Sequence, residues 1–340
     1  MMHVAIVYDT FTDADAPDVR DVITQADAVA SALEALGHSS CRISCSLNLL
    51  AVEAELRSRQ VDLVFNLVES IGGRGRLIHL FPFCLDAMAL PYTGARAEAM
   101  MLTSGKVLAK ERMATAGIPT PAWIGPWPGH DPSVHGNDTG ENTWIIKSVW
   151  EHASIGLNEK SIVKKSNPAV VFPLLRSRAA LLGGACFAER FIGGREFNLS
   201  LLGSPRSPDV LPPAEIIFEG YTEAMPRIVD YRAKWDEAAF EYHHTRRRFD
   251  FDSSDRGLLG RLKALALKCW DHFGLHGYAR VDFRVDPAGK PWVLEINANP
   301  CLSPDAGFAA ALDRANIAYA DAIGRIVADG LMPGKAGNAM

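Results

Sequence analysis

A chain of 340 residues with 35 basic and 40 acidic side chains carries a formal net charge of −5, which argues against a general nucleic-acid or anionic-membrane binder. Its 48% hydrophobic and 22% charged content is that of an ordinary globular protein, long enough for two or three domains. No apolar run reaches the roughly 18 residues of a membrane span, and the six cysteines, at 41, 45, 84, 186, 269 and 301, lack CxxC spacing and read as reduced thiols of a cytoplasmic protein.

The opening MMHVAIVYDT has no basic n-region and reads as a strand rather than a signal peptide. VAIVY (4–8) is a short apolar run ending at Asp9, as a buried parallel strand would. A helical pattern over 19–36 stops at Gly37. CRISCS follows as a strand, and its alternation sets aside a zinc or redox reading of Cys41 and Cys45. LNLLAVEAELRSR is a helix and VDLVFNLV (61–68) a third strand. The loop SIGGRGR lacks GxGxxG and follows the third strand rather than the first, so it reads as a mobile loop of backbone donors facing substrate, not as a dinucleotide site. A helix through Met88 completes a βαβαβ layer over residues 1–95.

Residues 89–124 open a second unit, with Ser104 as the predicted cap of a helix running to Gly117 and Pro119 and Pro121 preventing its return. After the polar loop 127–142, WIIKSVWEHASIGL (144–157) reads as a strand, a loop and a glycine turn. ACFAERFIGGREFNLSLLG (185–203) is two strands about a bend at Gly193-Gly194. Residues 205–250 show little periodicity, and a loop-rich segment of that length is usually functional. Within it, HHTRRRF reads as an exposed basic turn and Arg246 to Arg248 as a solvated charge run. A helix over 255–273, a hairpin, and a helix from Ala309 to Ala328 follow.

The hairpin, YARVDFRVDPAGKPWVLEINANP (278–300), raises the chemical question. A turn over Pro287 to Lys290 sets Asp286 opposite Pro291, Asp282 opposite Glu295 and Arg280 opposite Asn297. Alternation then puts Arg280, Asp282, Glu295 and Asn297 on one face, and Val281, Phe283, Val285, Trp292, Leu294 and Ile296 on the other. Two carboxylates and an amide oxygen suit Mg²⁺; a wet face with cross-strand charges is the other reading. Lys147, at the end of an apolar strand before Ala153-Ser154-Ile155-Gly156, reads either as a phosphate clamp with backbone donors or as a solvated lysine.

Taken in order, PYTGA with a lysine-bearing helix and GIPTPAW, then WIIKSVWEHASIG, AERFIGGREFN and YARVDF…VLEINANPCLS resemble the ATP-grasp superfamily, and within it the D-alanine–D-alanine ligase group, over nearly the whole chain. The resemblance implies an α/β (α+β) three-domain architecture: an N-terminal βαβ parallel-sheet substrate domain (1–95), a central subdomain with the phosphate-covering loop (96–187), a C-terminal subdomain with the Mg-binding hairpin (188–330) and a flexible tail (331–340), with ATP clamped between the last two domains. It implies that Lys106, Lys147 and Lys234 contact the ATP phosphates, and that Ser154 and Gly156 belong to the covering loop. Glu189 would meet the adenine amino group, the backbone of Arg190, Phe191 and Ile192 the purine edge, and Glu196 the ribose. Asp282, Glu295 and Asn297 would hold two Mg²⁺ ions, or Mn²⁺ in their place, while Arg280 stabilises negative charge on an acyl phosphate and the tetrahedral intermediate. Arg280, Lys234 and Ser154 are thus the expected catalytic set of an ADP-forming carboxylate–amine ligase, a homodimer acting on small molecules, amino acids foremost.

Departures from the group cluster at the substrate end. The first loop reads YDTFTDADAPD, Glu69 stands near an expected histidine, the lid pair reads Ala153-Ser154, Trp235 replaces a tyrosine, Cys301 a glycine, and Ala306, beside Asp305, an expected serine. With Glu69, Trp235, Arg280, Ser303 and Asp305 as substrate-binding candidates, the expectation is a ligase of altered specificity. The alternatives are a cell-wall D-alanine–D-alanine ligase, an ATP-grasp kinase, and a nucleotide-binding module without catalysis. Cys301 as a nucleophile lacks a histidine placed by sequence to activate it.

Overall fold

The computed structural model describes residues 1–10, 17–129, 134–136, 142–151, 154–204 and 206–332. The stretch 11–16, Ala153 and the tail beyond 332 lie outside them. Three sheets organise the described chain. Strands β1 (His3–Asp9), β2 (Ser39–Cys45) and β3 (Leu63–Asn66) pair in parallel in the order β2-β1-β3. Central β1 is a continuous apolar run because both its faces are covered. Val4 and Ile6 pack on α1 (Pro17–Ala35), and Ala5 and Val7 on the side of α2 (Leu49–Ser58) and α3 (Leu80–Ala87). Full burial of such side chains contributes roughly 1.5–3 kcal/mol each.

The helix expected from Ser104 to Gly117 is α5 (Lys106–Thr115), and a further helix, α4 (Ala97–Ser104), stands directly before it. Ser104 donates back to the Met101 carbonyl instead of capping. Gly105, at φ −86 and ψ 98, breaks the helix where a β-carbon would come within 2.8 Å of the Trp150 ring. Lys106 therefore opens a helix rather than lying inside one.

Strands β4 (Trp123–Trp127), β5 (Val134–His135), β6 (Asn142–Ser148), β7 (Ile162–Ser166) and, after helix α6 (Pro168–Arg178), β8 (Cys186–Arg190) form an antiparallel sheet in the order β5-β4-β8-β6-β7. Helix α6 seals one face with Val171 and Leu175 against Trp144, Ile146 and Ala188. A domain division after residue 187 falls inside β8, which stays in this sheet to Arg190; the chain leaves it at the Gly193-Gly194 bend. Gly194 has φ +106, and a β-carbon there would stand 2.2 Å from the Val285 carbonyl, so the crossing needs glycine.

The third sheet contains β9 (Arg195–Leu202), β10 (Asp209–Val210), β11 (Ala214–Phe218), β12 (Thr245–Arg248), β13 (Tyr278–Val285) and β14 (Pro291–Asn297), in the order β12-β11-β9-β13-β14 with β10 beside β9. The segment read as loop-rich thus contributes three strands, β10, β11 and β12, and two short helices, α7 (Tyr231–Trp235) and α8 (Phe240–His244). HHTRRRF is exposed, as expected at Arg246 to Arg248, but it is no turn: it ends α8 and forms edge strand β12, paired with β11. Helix α9 (Arg256–Phe273) packs Leu258, Leu262 and Ala266 into the core under β9 and β13. The last expected helix is two, α10 (Gly307–Arg314) and α11 (Tyr319–Gly330), broken where Asn316 takes φ 55. Both return to the first sheet: Leu312, Ile323 and Ile326 share one core with Val4, Ile6 and Leu33.

Register in the hairpin is as expected at its far end, with Arg280 opposite Asn297 and Asp282 opposite Glu295. Toward the turn it differs. Val285, not Asp286, faces Pro291, and the shift is absorbed by a bulge between Asp282 and Phe283 that leaves Leu294 without a partner. Consequently Val293 and Ile296 enter the core, while Leu294 lines a cavity and Trp292 lies half-buried outside it. Asp286 pins the turn, accepting from the Ala288 and Lys290 amides and from Trp292 Nε1 at 2.9–3.0 Å.

Candidate functional site

A cavity of about 1360 Å³ opens where the three sheets meet. Of the residues singled out in the sequence, Lys106, Lys147, Ser154, Glu189, Arg190, Phe191, Ile192, Glu196 and Lys234 line it, as do Glu69, Trp235, Arg280, Asp282, Glu295, Asn297 and Asp305. Gly156 and Ser303 stand behind the wall. A β-carbon on Gly156 would meet the Leu182 side chain at 2.5 Å, and the Ser303 hydroxyl donates to Asp21 at 2.7 Å.

One end is set by strand alternation in β6 and β8. Glu189, 1% exposed, has one carboxylate oxygen 2.7 Å from Lys147 Nζ and the other 2.6 Å from Lys110 Nζ. Burial alone would raise the Glu189 pKa; the two lysine charges outweigh it and lower it. Lys110 is the residue that sequence reading missed. It is fully buried on α5 and also donates to Thr120 Oγ1 and the Pro121 carbonyl. Burial pushes its pKa down to about 8. Beside this triad the Arg190 and Phe191 amides are spent on the carbonyls of Ala122 and Thr143. Among the described residues the Ile192 N–H has no acceptor, so it is the donor at that edge.

Glu196, on β9, pairs at 2.7 Å with Arg284, 4% exposed and likewise missed by sequence reading. The Arg284 guanidinium lies over Phe191 and Phe218 and donates to the carbonyls of Ile192 and Arg227. Burial raises the Glu196 pKa against the opposing Arg284 charge. An alternating polar position next to Asp282 was the available signal for Arg284, hidden because its partner lies in another strand.

The hairpin's polar face is the centre of the site. Asp282 accepts from Arg280 through both oxygens, at 2.7 and 2.8 Å, from Asn198 at 2.7 Å and from Asn297 at 3.1 Å. Asp282, Glu295 and Asn297 line the cavity together. Their chemistry, two carboxylates and an amide, is the hard-oxygen set that Mg²⁺ prefers with water and phosphate completing the shell. Among the described residues no group of three or more His, Cys, Asp or Glu is placed to hold a metal; this set reaches three ligands only by including the Asn297 amide. Because four N–H donors already satisfy Asp282, a cation there displaces some of them.

Three lysines face these oxygens. Lys106 Nζ donates to the Glu151 carbonyl at 2.7 Å, and burial lowers its pKa. Lys234 comes from α7, whose first turn is capped by Asp230 accepting from the Ala233 amide. Burial, and then the Arg280 charge, lowers its pKa. Ser154, at φ 61, donates to the Val229 carbonyl at 2.8 Å, joining the loop after β6 to the segment before α7 across the cavity mouth.

The third end is built by the first sheet. Asp9 accepts from the Ser70 hydroxyl and the Glu69 amide, and burial raises its pKa. Gln25 donates to Glu69 at 3.1 Å and accepts from the Leu302 amide. Asp21 takes the Ser303 hydroxyl and lies 3.1 Å from Cys301 Sγ. Burial and the nearby acids Glu69 and Asp21 raise the Cys301 pKa, which rules against a thiolate nucleophile.

Comparison with known proteins matches residues 114–328 to the family model "D-ala D-ala ligase C-terminus". A D-alanine–D-alanine ligase of Synechococcus sp. (strain JA-2-3B'a(2-13)) is 32% identical over 276 residues, 80% of this chain and 77% of that protein. One from Moorella thermoacetica is 28% identical over 90% of this chain and 93% of its own length. Among solved structures, the D-alanine–D-alanine ligase of Bacillus anthracis complexed with ATP superposes with a TM-score of 0.71 at 18% identity, covering 97% of each chain.

Proposed function

Because the chain belongs to the D-alanine–D-alanine ligase family of ATP-grasp proteins, we propose that it is an ATP-dependent, ADP-forming ligase that joins a small carboxylate to an amine. The observation that carries this reading is the convergence of Lys106, Lys147, Lys234 and Arg280 on the face of Asp282, Glu295 and Asn297 inside one cavity. Cations are the groups that receive phosphate oxygens, and the hard-oxygen set is the one that holds Mg²⁺ against them. When bound, Mg²⁺ supplies charge neutralisation of the transferring phosphoryl group.

The chain's own residues then divide the work. The Lys110–Glu189–Lys147 triad and the Ile192 N–H offer acceptor and donor to an adenine edge, while Glu196, set by Arg284, reaches the ribose hydroxyls. Lys106, Lys147 and Lys234 hold the phosphates. A substrate carboxylate takes the γ-phosphoryl group, ADP leaves, and an amine attacks the acyl phosphate to give an amide and phosphate. Arg280 holds the negative charge that develops on the attacked carbonyl. Water would destroy the acyl phosphate, and the Ser154–Val229 bridge is the contact that shuts the mouth against it.

For the substrates, the acidic third end supports specificity other than D-alanine pairing. Glu69, Asp21 and Asp305 stand there, Ala306 offers no hydroxyl, and Ser303 is committed to Asp21. The names of the relatives favour the second reading, a D-alanine–D-alanine ligase. Phosphate release from MgATP, with D-alanine alone and then with pairs of amino acids, dipeptides and amines, tests both. Turnover is expected with some pair other than D-alanine, and Glu295→Gln should cost about 100-fold or more in kcat, the scale of losing a transition-state charge partner. Robust turnover with D-alanine alone overturns altered specificity. ATP turnover that survives Glu295→Gln undamaged overturns the metal assignment, and product without ATP consumption overturns the ligase.

A further inference from the structure

Arg284 holds more than a carboxylate. It stands on β13 directly opposite Glu196 of β9, and strand alternation turns both toward the cavity beside Arg280 and Asp282. The guanidinium is nearly dry, at 4% exposure. Its Nη2 lies 2.7 Å from Glu196 Oε2 and donates to the Arg227 carbonyl, while Nη1 donates to the Ile192 carbonyl at 3.4 Å. Its central carbon is 5.4 Å from the centre of the Phe191 ring and 5.9 Å from that of Phe218. An unpaired N–H in such a place costs free energy. The group therefore stays seated only while the Ile192 backbone, the Glu196 carboxylate and the Arg227 carbonyl are all in position. Arg227 opens the stretch that carries Lys234 into the cavity. Ile228 is buried, the Val229 carbonyl accepts the Ser154 hydroxyl at 2.8 Å, and Asp230 caps α7. Arg284 is thus a tether of that stretch to the third sheet. On the carboxylate side, no described residue forms a hydrogen bond to Glu196 Oε1, and Glu196 lines the cavity. One oxygen is held by protein and the other is left for a ligand.

We propose that Arg284 is a positioning residue that makes ribose recognition at Glu196 and the seating of the Lys234 stretch one event. The inference rests on the nucleotide reading given above and deepens it. A sugar hydroxyl donated to the open oxygen fixes the carboxylate, the carboxylate fixes the guanidinium, and the guanidinium fixes the Arg227 carbonyl. By reciprocity, a stretch already seated tightens the hold on the sugar. Arginine suits the task because its planar fork reaches a carboxylate and two carbonyls at once, which the compact ammonium of lysine does less well. The ligand class is therefore a ribonucleoside di- or triphosphate. A deoxy sugar loses the seating of Lys234 as well as its own hydrogen bond.

The test uses ADP, 2′-deoxyADP and 3′-deoxyADP with Mg²⁺ and the full chain. Affinity is measured by calorimetry, and amide hydrogen exchange over 226–236 by mass spectrometry at equal nucleotide occupancy. In the natural protein ADP should bind about 10-fold or more tighter than at least one deoxy analogue, the scale of a hydrogen bond to a charged acceptor. It should also slow exchange across 226–236 about 5-fold or more beyond what that analogue does. Arg284→Lys keeps a charge beside Glu196 but loses the fork, so it should retain a ribose preference and lose the extra slowing. Arg284→Met combined with Glu196→Gln removes both charges together and strands no buried carboxylate. That double variant should make ADP and its deoxy analogues alike in both readouts, and it decides the matter where Arg284→Lys does not fold. If ADP slows exchange no more than its deoxy analogues in the natural protein, or if the extra slowing survives either variant, the inference is overturned and nucleotide binding stands. If none of the three nucleotides binds, the ligase reading falls and this inference falls with it.

Discussion

Glu189 has a lysine on each oxygen, and that double contact makes Lys110 the most exacting residue of the proposed nucleotide end. A buried carboxylate deprived of one partner loses more than a hydrogen bond, because part of its charge is left in a dry site. Lys110→Met should cost roughly 3–5 kcal/mol of stability, the scale of breaking a buried ion pair by removing one member, read from denaturant midpoints. The pH dependence has a definite sign. With the folded pKa near 8 and the ordinary value at 10.5, the unfolded chain holds the extra proton between them. Stability from this group therefore rises with pH across that window, and below pH 8 its penalty is present in full. The natural protein should show the rise, and Lys110→Met should not. Lys110 could not be found by reading along the chain, since nothing near α5 announces an acid on β8. Asp282, Glu295 and Asn297 could be found, because their juxtaposition follows from one local hairpin.

The hairpin also shows where element-level reading stops. Strand period and the turn residues locate the pair Asp282–Glu295, yet one unpaired residue, Leu294, separates the expected ladder from the observed one. A bulge costs local pairing and is kept where it re-aims a side chain; here Leu294 reaches the cavity. Deleting Leu294 makes Val293, Glu295, Ile296 and Asn297 alternate core, cavity, core, cavity, so the metal-side pairing should survive. The expected result is a folded protein with Tm within several degrees of the natural one and weakened ATP binding, measured by thermal melts and nucleotide titration. Loss of folding would mean that the bulge holds the sheet together rather than shaping the cavity. The helix boundaries have similar origins. A ring from β6's following loop forces the break at Gly105, and the turn at Asn316 lets α11 reach the first sheet. Both breaks are imposed by distant packing that helical periodicity does not record.

Across the whole molecule the cores are unevenly shared. The first sheet, α10 and α11 are joined to β9 and β13 through Leu202 and Tyr278 in a single cluster, whereas the β4–β8 sheet closes mainly on α6. Units with a private core open by themselves at lower free energy. Amides of β6 and β8 should therefore exchange with solvent before those of β1, β9 and β13 in native-state hydrogen exchange. Equal rates in all three sheets would contradict this division. Such an opening would uncover the side of the cavity proposed for the phosphates, the motion a closing site requires. The sequence by itself determined the order of most strands and helices, the three-part architecture through its resemblance, and the polar face of the hairpin, because alternation, turn chemistry and helical period are properties of neighbouring residues. Tertiary structure alone decided that Glu189 is held by Lys110, Glu196 by Arg284 and Ser303 by Asp21, a pair separated by 282 positions. Those outcomes depend on which buried charge finds which partner across a dry interior, and chain order says nothing about who meets there.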